Sequence, residues 1–308
     1  MALIDFLGKG PTEIIDPRPK VEQETDHGDY IRRLITYRVE AEDQGYGYLL
    51  LPKTFSAPFP LVICPHGTKA SGKDWPAGLD PKEDLQLHYA VHLVREGFAC
   101  FAPDDFVAGQ RLKPGQHPYD TFELHQRWPE WTAAGKSLWD LQRAVDFLVR
   151  YDFIDSSRIG AIGHSLGGHD SLILAAFDQR IRAAVINCGV ALLRTEPCRK
   201  EWARTNDHDF VYYQTLRKYM DHPESLPFDF DRMAMAVSPR ALLMIHALND
   251  EYMQGNAVWL EASGRISDHF DKAGQPEVFA AYFHRQGHCF PAEVRALAYE
   301  WLKKYLMA

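Results

Sequence analysis

Two kinds of apolar run alternate along the chain. The first is short and nearly unbroken: residues 59–65, 97–103, 158–163, 181–188, 241–246 and 277–283 are mostly apolar and are bounded by turn-forming or polar residues. Such runs mark strands buried on both faces. The second kind has helical spacing. Between Thr132 and Tyr151, Leu138, Leu141, Ala144, Val145, Leu148 and Val149 form one stripe, and helices are also expected near 84–96, 167–177, 255–272 and 291–306. Strands apolar on both sides, alternating with helices, predict an α/β fold with a mostly parallel sheet and helices on both faces. Ahead of them, IRRLITYRVEA and YGYLLLP are rich in β-branched and aromatic residues and are separated by a polar, Gly-containing segment. That pattern predicts a hairpin forming an antiparallel N-terminal edge of the sheet.

Three segments do not follow this rhythm. Residues 1–28 are rich in Pro and charge and read as an arm over the domain. Residues 105–131, polar with scattered aromatics, read as a loop over a site. The interval 190–238, polar, charged and aromatic in turn, reads as an insertion forming a lid or pocket wall. Residues 29–308 are expected to be one α/β domain with the 190–238 stretch as a lid-like insertion, since sheets covered by helices often reach this length as a single unit.

Composition narrows the function classes. With 46% hydrophobic and 25% charged residues the chain has the profile of a soluble globular protein. A formal net charge of -8 opposes nucleic-acid binding, which depends on Lys and Arg displacing counterions from phosphates. The segment 1–6 has no basic region followed by an apolar core, and no stretch approaches 18 apolar residues, so no membrane association and a cytoplasmic location are expected. The five cysteines, Cys64, Cys100, Cys188, Cys198 and Cys289, show no metal-ligand spacing. Cys64, Cys100 and Cys188 lie in apolar runs, where a thiol acts as a small hydrophobe.

The sharpest chemical signal is Gly163-His164-Ser165-Leu166-Gly167-Gly168, placed between an expected strand and an expected helix. A nucleophile on that turn is raised to the carboxyl end of the sheet, and flanking glycines let neighbouring backbone pass without a Cβ clash. The amide of Leu166 then stands at a helix N-terminus, facing an oxyanion. Serine needs a base. His288, in the loop between the last expected strand and the last helix, opens on the same side of the sheet; His284 on the strand end is the competitor. The base needs an acceptor, and Asp250 follows the strand 241–246 by a short turn, with Glu251 adjacent. The second oxyanion amide is expected in the loop His66-Gly67-Thr68-Lys69, at Thr68, with Gly67 and Lys69 as alternatives. His66 itself is read as a hydrogen-bonded residue holding that loop.

On Pro65-His66-Gly67, the stretch 155–160 leading into 163–168, His246 to Asp250, and Gly287-His288, the chain from about residue 30 onward resembles the dienelactone hydrolase and prolyl-oligopeptidase-like branch of the α/β-hydrolase superfamily, especially its acetyl-xylan-esterase-like members. Ser165, Asp250 and His288 keep that family's order of nucleophile, acid and base. The chain departs from it at Ala247, where the family often has Gly, and in the 190–238 insertion. The resemblance implies hydrolysis of carboxylic esters through an acyl-enzyme, acetyl esters of carbohydrates among them, on a small-molecule substrate and with no cofactor or metal. A peptidase or amidase of the same branch, and a non-catalytic binding protein on the same scaffold, are the rival readings. Trp75, Trp128, Trp131, Trp202, Tyr212 and Tyr213 are candidate aromatic platforms at the mouth. The oligomeric state is not encoded in any feature of the chain.

Overall fold

The computed structural model describes residues 3–79 and 85–308. Among these residues nine strands form one sheet: β1 (Lys20–Asp26), β2 (Tyr30–Glu40), β3 (Asp43–Pro52), β4 (Phe59–Ile63), β5 (Ala99–Pro103), β6 (Ile154–His164), β7 (Ile181–Asn187), β8 (Ala241–Ala247) and β9 (Phe279–His284). They lie in the order β1-β2-β3-β5-β4-β6-β7-β8-β9. The pairings β1 to β3, and β3 with β5, are antiparallel; all others are parallel. Of the strands read as doubly buried, β4, β5 and β8 are buried throughout, whereas β9 is not: it is the last strand of the sheet, and all of its residues but His284 are half-buried or exposed.

Among the described residues seven α-helices accompany the sheet: α1 (Tyr89–Arg95), α2 (Phe122–Arg127), α3 (Ala133–Leu148), α4 (Leu166–Phe177), α5 (Phe230–Met235), α6 (Trp259–Lys272) and α7 (Ala292–Leu306). Helices α3 and α4 pack together and on β2, β6 and β7, with α5 and α6 continuing that layer; α1 and α7 pack on β3, β5, β6 and β7. Helix α3 starts at Thr132, whose Oγ1 accepts the Gly135 N–H at 2.9 Å and donates to Leu7 O, so one hydroxyl both caps the helix and holds the N-terminal segment. Among the described residues no helix is long and apolar enough to cross a membrane.

Three expectations about irregular segments need correction. Residues 1–28 are not all arm, because Lys20–Asp26 is the edge strand β1. Almost all of its side chains are exposed, so no buried face imposed an alternation on the sequence. Residues 105–131 are not pure loop; they include a short helix, α2. The helix expected over 84–96 is shortened to α1, with a 3-10 turn at Leu85–Leu87 before it and residue 84 outside the described residues.

The β2–β3 hairpin is tied to α3 by charge as well as by apolar packing. Lys136, 3% exposed, donates to Glu40, Asp43 and Asp140, and Arg111 donates to Asp43 and Asp140. Burial alone would raise the Asp43 carboxyl, yet the Arg111 and Lys136 cations beside it hold it well below the usual carboxylate range. A buried network of this kind tolerates loss of one member badly, because the others stay desolvated and lose their counter-charge. Lys136→Met should therefore lower unfolding free energy by about 3–5 kcal/mol, read as a fall in the guanidinium midpoint with little change in slope.

Candidate active site

Strand β6 ends at His164 and α4 begins at Leu166, leaving Ser165 alone on the turn with φ 58° and ψ -125°. A non-glycine residue in that region is strained and must be held. Here the Ser165 N–H donates to Asn187 O at the end of β7, 3.0 Å away. The flanking glycines admit the turn. A Cβ on Gly163 would come within 2.1 Å of Gly167 O, and one on Gly167 within 2.1 Å of Pro65 O. The Leu166 N–H belongs to the first turn of α4, where an amide has no carbonyl one turn back to bond.

The loops after β8 and β9 bring the other two groups to the same end of the sheet. Asp250 is 4% exposed, and its Oδ1 accepts the amides of Tyr252 and Met253 at 2.9 and 3.0 Å. Its Oδ2 lies 2.8 Å from His288 Nδ1. A carboxylate accepting there places the His288 proton on Nδ1 and leaves the Nε2 lone pair for Ser165. Glu251 takes a different post: its Oε2 accepts the His288 N–H at 2.9 Å. Adjacent carboxylates thus hold the ring and the backbone of one histidine. His284 is buried at the end of β9, and its ring makes no hydrogen bond among the described residues. Ser165 and His288 line one cavity of about 580 Å³ without a direct hydrogen bond, and such bonds commonly tighten only with substrate in place.

Thr68 lines the same cavity. In its loop the Lys69 N–H is committed to Gly67 O and Tyr119 Oη, at 2.8 and 2.7 Å, whereas the Thr68 N–H has no protein acceptor among the described residues. Tyr119 Oη also lies 2.8 Å from Lys69 O and 3.2 Å from Gly67 O, so one phenol grips the loop on both sides of Thr68. His66 holds the loop from within: Nδ1 donates to Gly67 O and Nε2 accepts the Asp105 N–H. Behind it, burial and the nearby Asp170 carboxylate push Asp105 up to about 6.

A group of three possible metal ligands sits at the same place: one ligand atom each from Cys188, Asp250 and His288 lie within 4.8 Å of one another. Burial pushes the Cys188 thiol well up. It is therefore a protonated neighbour of the Asp–His pair and a poor ligand, since metals bind the thiolate.

With this geometry in hand, comparison with known proteins is informative. A family described as "Glucuronyl esterase, fungi" matches residues 101–267, more than half of the chain. The chain belongs to this family. It is accordingly a carboxylic ester hydrolase of the carbohydrate esterase kind. A glucuronoyl esterase from Solibacter usitatus shares its fold with TM-score 0.71 at 16% identity, covering 96% of this chain and 88% of that one. A Bacteroides fragilis NCTC 9343 protein provisionally described as an acetyl xylan esterase does so with TM-score 0.68 at 18% identity, covering 94% and 77%. The Bacillus subtilis (strain 168) protein YtaP, provisionally named a hydrolase, is 22% identical over 283 residues, 87% of this chain and 86% of its own. The family match spans Ser165 and Asp250 but not Thr68 or His288, whose places rest on the geometry above.

The 190–238 segment forms one wall of the esterase's cavity, contributing Cys198, Glu201, Trp202, Arg204, Phe210 and Tyr212. Of the aromatics proposed as platforms, Trp75, Trp202 and Tyr212 line the cavity. Trp128, Trp131 and Tyr213 do not. Trp131 is buried, its ring close to Gly10 of the N-terminal segment and Gly135 of α3, and Tyr213 Oη is 2.8 Å from His169 Nε2. Sequence reasoning missed Tyr119 and the backbone role of Glu251, because both act on main-chain atoms whose positions only the folded loops define. The one signal available was that Tyr119 lies in the segment expected over the site. Tyr119→Phe should lower kcat on p-nitrophenyl acetate by about ten- to a hundredfold with KM little changed, by loosening the oxyanion loop. A rise in KM at unchanged kcat would instead make the phenol a substrate contact.

Proposed function

We propose that this protein hydrolyses esters of glucuronic-acid units in carbohydrates, with Ser165 as nucleophile, His288 as base, Asp250 as its partner, and the amides of Leu166 and Thr68 as oxyanion donors. The observation that carries the substrate class is the cavity in front of Ser165. About 580 Å³ is walled by Trp75, Trp202, Phe210 and Tyr212, with Lys69, Glu201, Arg204 and Glu251 set between them. Flat aromatic faces interleaved with charged groups suit a sugar ring, apolar on its faces and hydroxylated at its rim. An acetyl group would leave most of that volume unfilled.

In the forward step Ser165 Oγ attacks the uronate carbonyl while His288 Nε2 takes its proton. Asp250, desolvated and aimed by two backbone amides, stabilises the imidazolium that results. The carbonyl oxygen, now negative, moves between the two amides, which need no reorganisation to receive it. Collapse of the tetrahedral intermediate breaks the ester bond, and His288 gives its proton to the departing alcohol. Water then repeats the sequence on the acyl-enzyme, releasing the uronic acid and restoring Ser165.

Benzyl glucuronate, acetylated xylo-oligosaccharide, p-nitrophenyl acetate and an aminoacyl anilide should be compared by kcat/KM on the purified protein. The uronate ester is expected to lead, and Ser165→Ala to lower every rate by at least about 10³-fold. Preference for the acetylated sugar would return the acyl group to acetate, and preference for the anilide would make the protein an amidase. Full activity in Ser165→Ala would remove the nucleophile altogether.

A further inference from the structure

His164, the residue before the nucleophile, is 2% exposed yet lines the cavity, and its ring lies 4.5 Å from that of His288 at an angle of 49°. Its Nδ1 is 2.7 Å from Asn187 Nδ2. The same Nδ2 donates to Cys289 O, 3.1 Å away and one residue past His288. A carbonyl can only accept, so this end of the amide is the NH2; the Cys188 thiol, set to donate to Asn187 Oδ1, agrees. The second hydrogen of Nδ2 must then point at His164 Nδ1, which carries a lone pair, with the ring proton on Nε2. His164 is held neutral, and burial together with the nearby His288 pushes its basicity well down. Asn187 is wholly buried, and its own backbone oxygen accepts the Ser165 N–H.

Three contacts from one residue therefore reach the nucleophile, the residue before it, and the loop that carries the base. We infer that Asn187 and His164 are a positioning pair that sets the spacing between Ser165 and His288: Asn187 ties the 287–290 loop to the elbow, and the His164 ring is the flat neighbour against which the His288 ring rests. The inference depends on the reading of Ser165 and His288 as nucleophile and base. It explains why a histidine suits the position. A phenyl ring could supply the flat face but would leave a buried amide hydrogen of Asn187 with no acceptor. A charged ring would set an N–H against that same hydrogen.

The test uses the full chain and p-nitrophenyl acetate, which asks for the triad and not for a sugar site. H164F and Asn187→Leu should each lower kcat by about ten- to a hundredfold with KM little changed. The double variant should fall no further than the worse single one, since both break the same clamp. His164→Asn keeps an acceptor near the Nδ1 position and should recover much of the loss. Thermal midpoints recorded alongside show whether each variant folds, and if Asn187→Leu does not, Asn187→Ala withdraws the donor with a smaller side chain. Unchanged kcat in folded H164F, a loss confined to KM, full additivity in the double variant, or no recovery in His164→Asn would each overturn the pair. Ser165→Ala, run in parallel, separates this from the larger reading: if it retains activity the triad itself fails, whereas loss there with wild-type rates in H164F removes only the clamp.

Discussion

The close approach of α4 to the sheet is the constraint on which the site depends. Its first turn meets the ends of β4, β6 and β7 at backbone-to-backbone distance, and a Cβ at Gly163, Gly167 or Gly168 would fall 2.9 Å or less from a main-chain oxygen. Because the helix begins that close, the chain must reverse within one residue, and Ser165 takes the strained conformation. The strain is held by packing on both sides and by the bond to Asn187 O. The same approach sets the open end of α4 against the loop after β4, so an amide from each can face one oxygen.

Around that point the polar groups are arranged by contacts to backbone more than to one another. Asp250 is aimed by two amides, the His288 backbone by Glu251, and the loop bearing Thr68 by Tyr119 and His66. These partners lie on the connections after β4, β5, β8 and β9, which all meet at the carboxyl end of the parallel strands, where such connections must emerge. Burying these groups is tolerable because each of them is paired, unlike the rings of His246 and His284 nearby, which make no hydrogen bond among the described residues, and paired groups in a poorly hydrated site hold their geometry firmly. Rigid placement of donors before the substrate arrives is what lets them act on a developing charge without first moving.

The 190–238 segment plays a different part. It contributes no strand to the sheet and is mostly irregular, with 3-10 turns at Arg199–Ala203, Gln214–Tyr219 and Pro223–Ser225 and the short helix α5. Its aromatics pack on one another, Trp202 on Tyr212 and Phe230, Phe210 on Tyr212, which keeps the cavity wall in shape without regular structure. The proposed triad therefore sits on the connections of the scaffold, and the wall of the cavity in front of it is shaped in large part by a segment that interrupts the scaffold.

Much of this was legible in the chain. Two-sided apolar strands alternating with amphipathic stripes dictate a covered parallel sheet, because no other arrangement buries both faces. Strand order along the chain then puts residues following β6, β8 and β9 at one end, which is why Ser165, Asp250 and His288 could be singled out together. Local pattern did not reach β1, whose solvated side chains carry no period, nor α2 within a polar loop. It favoured Asp250 over the adjacent Glu251 by position alone and gave no sign that Glu251 would accept the backbone N–H of His288. Tertiary structure decided that, as it decided the link from Asn187 through His164 and the Cys289 carbonyl. Hydrogen bonds to main-chain atoms depend on where loops distant in sequence come to rest, and residue type alone holds no record of that.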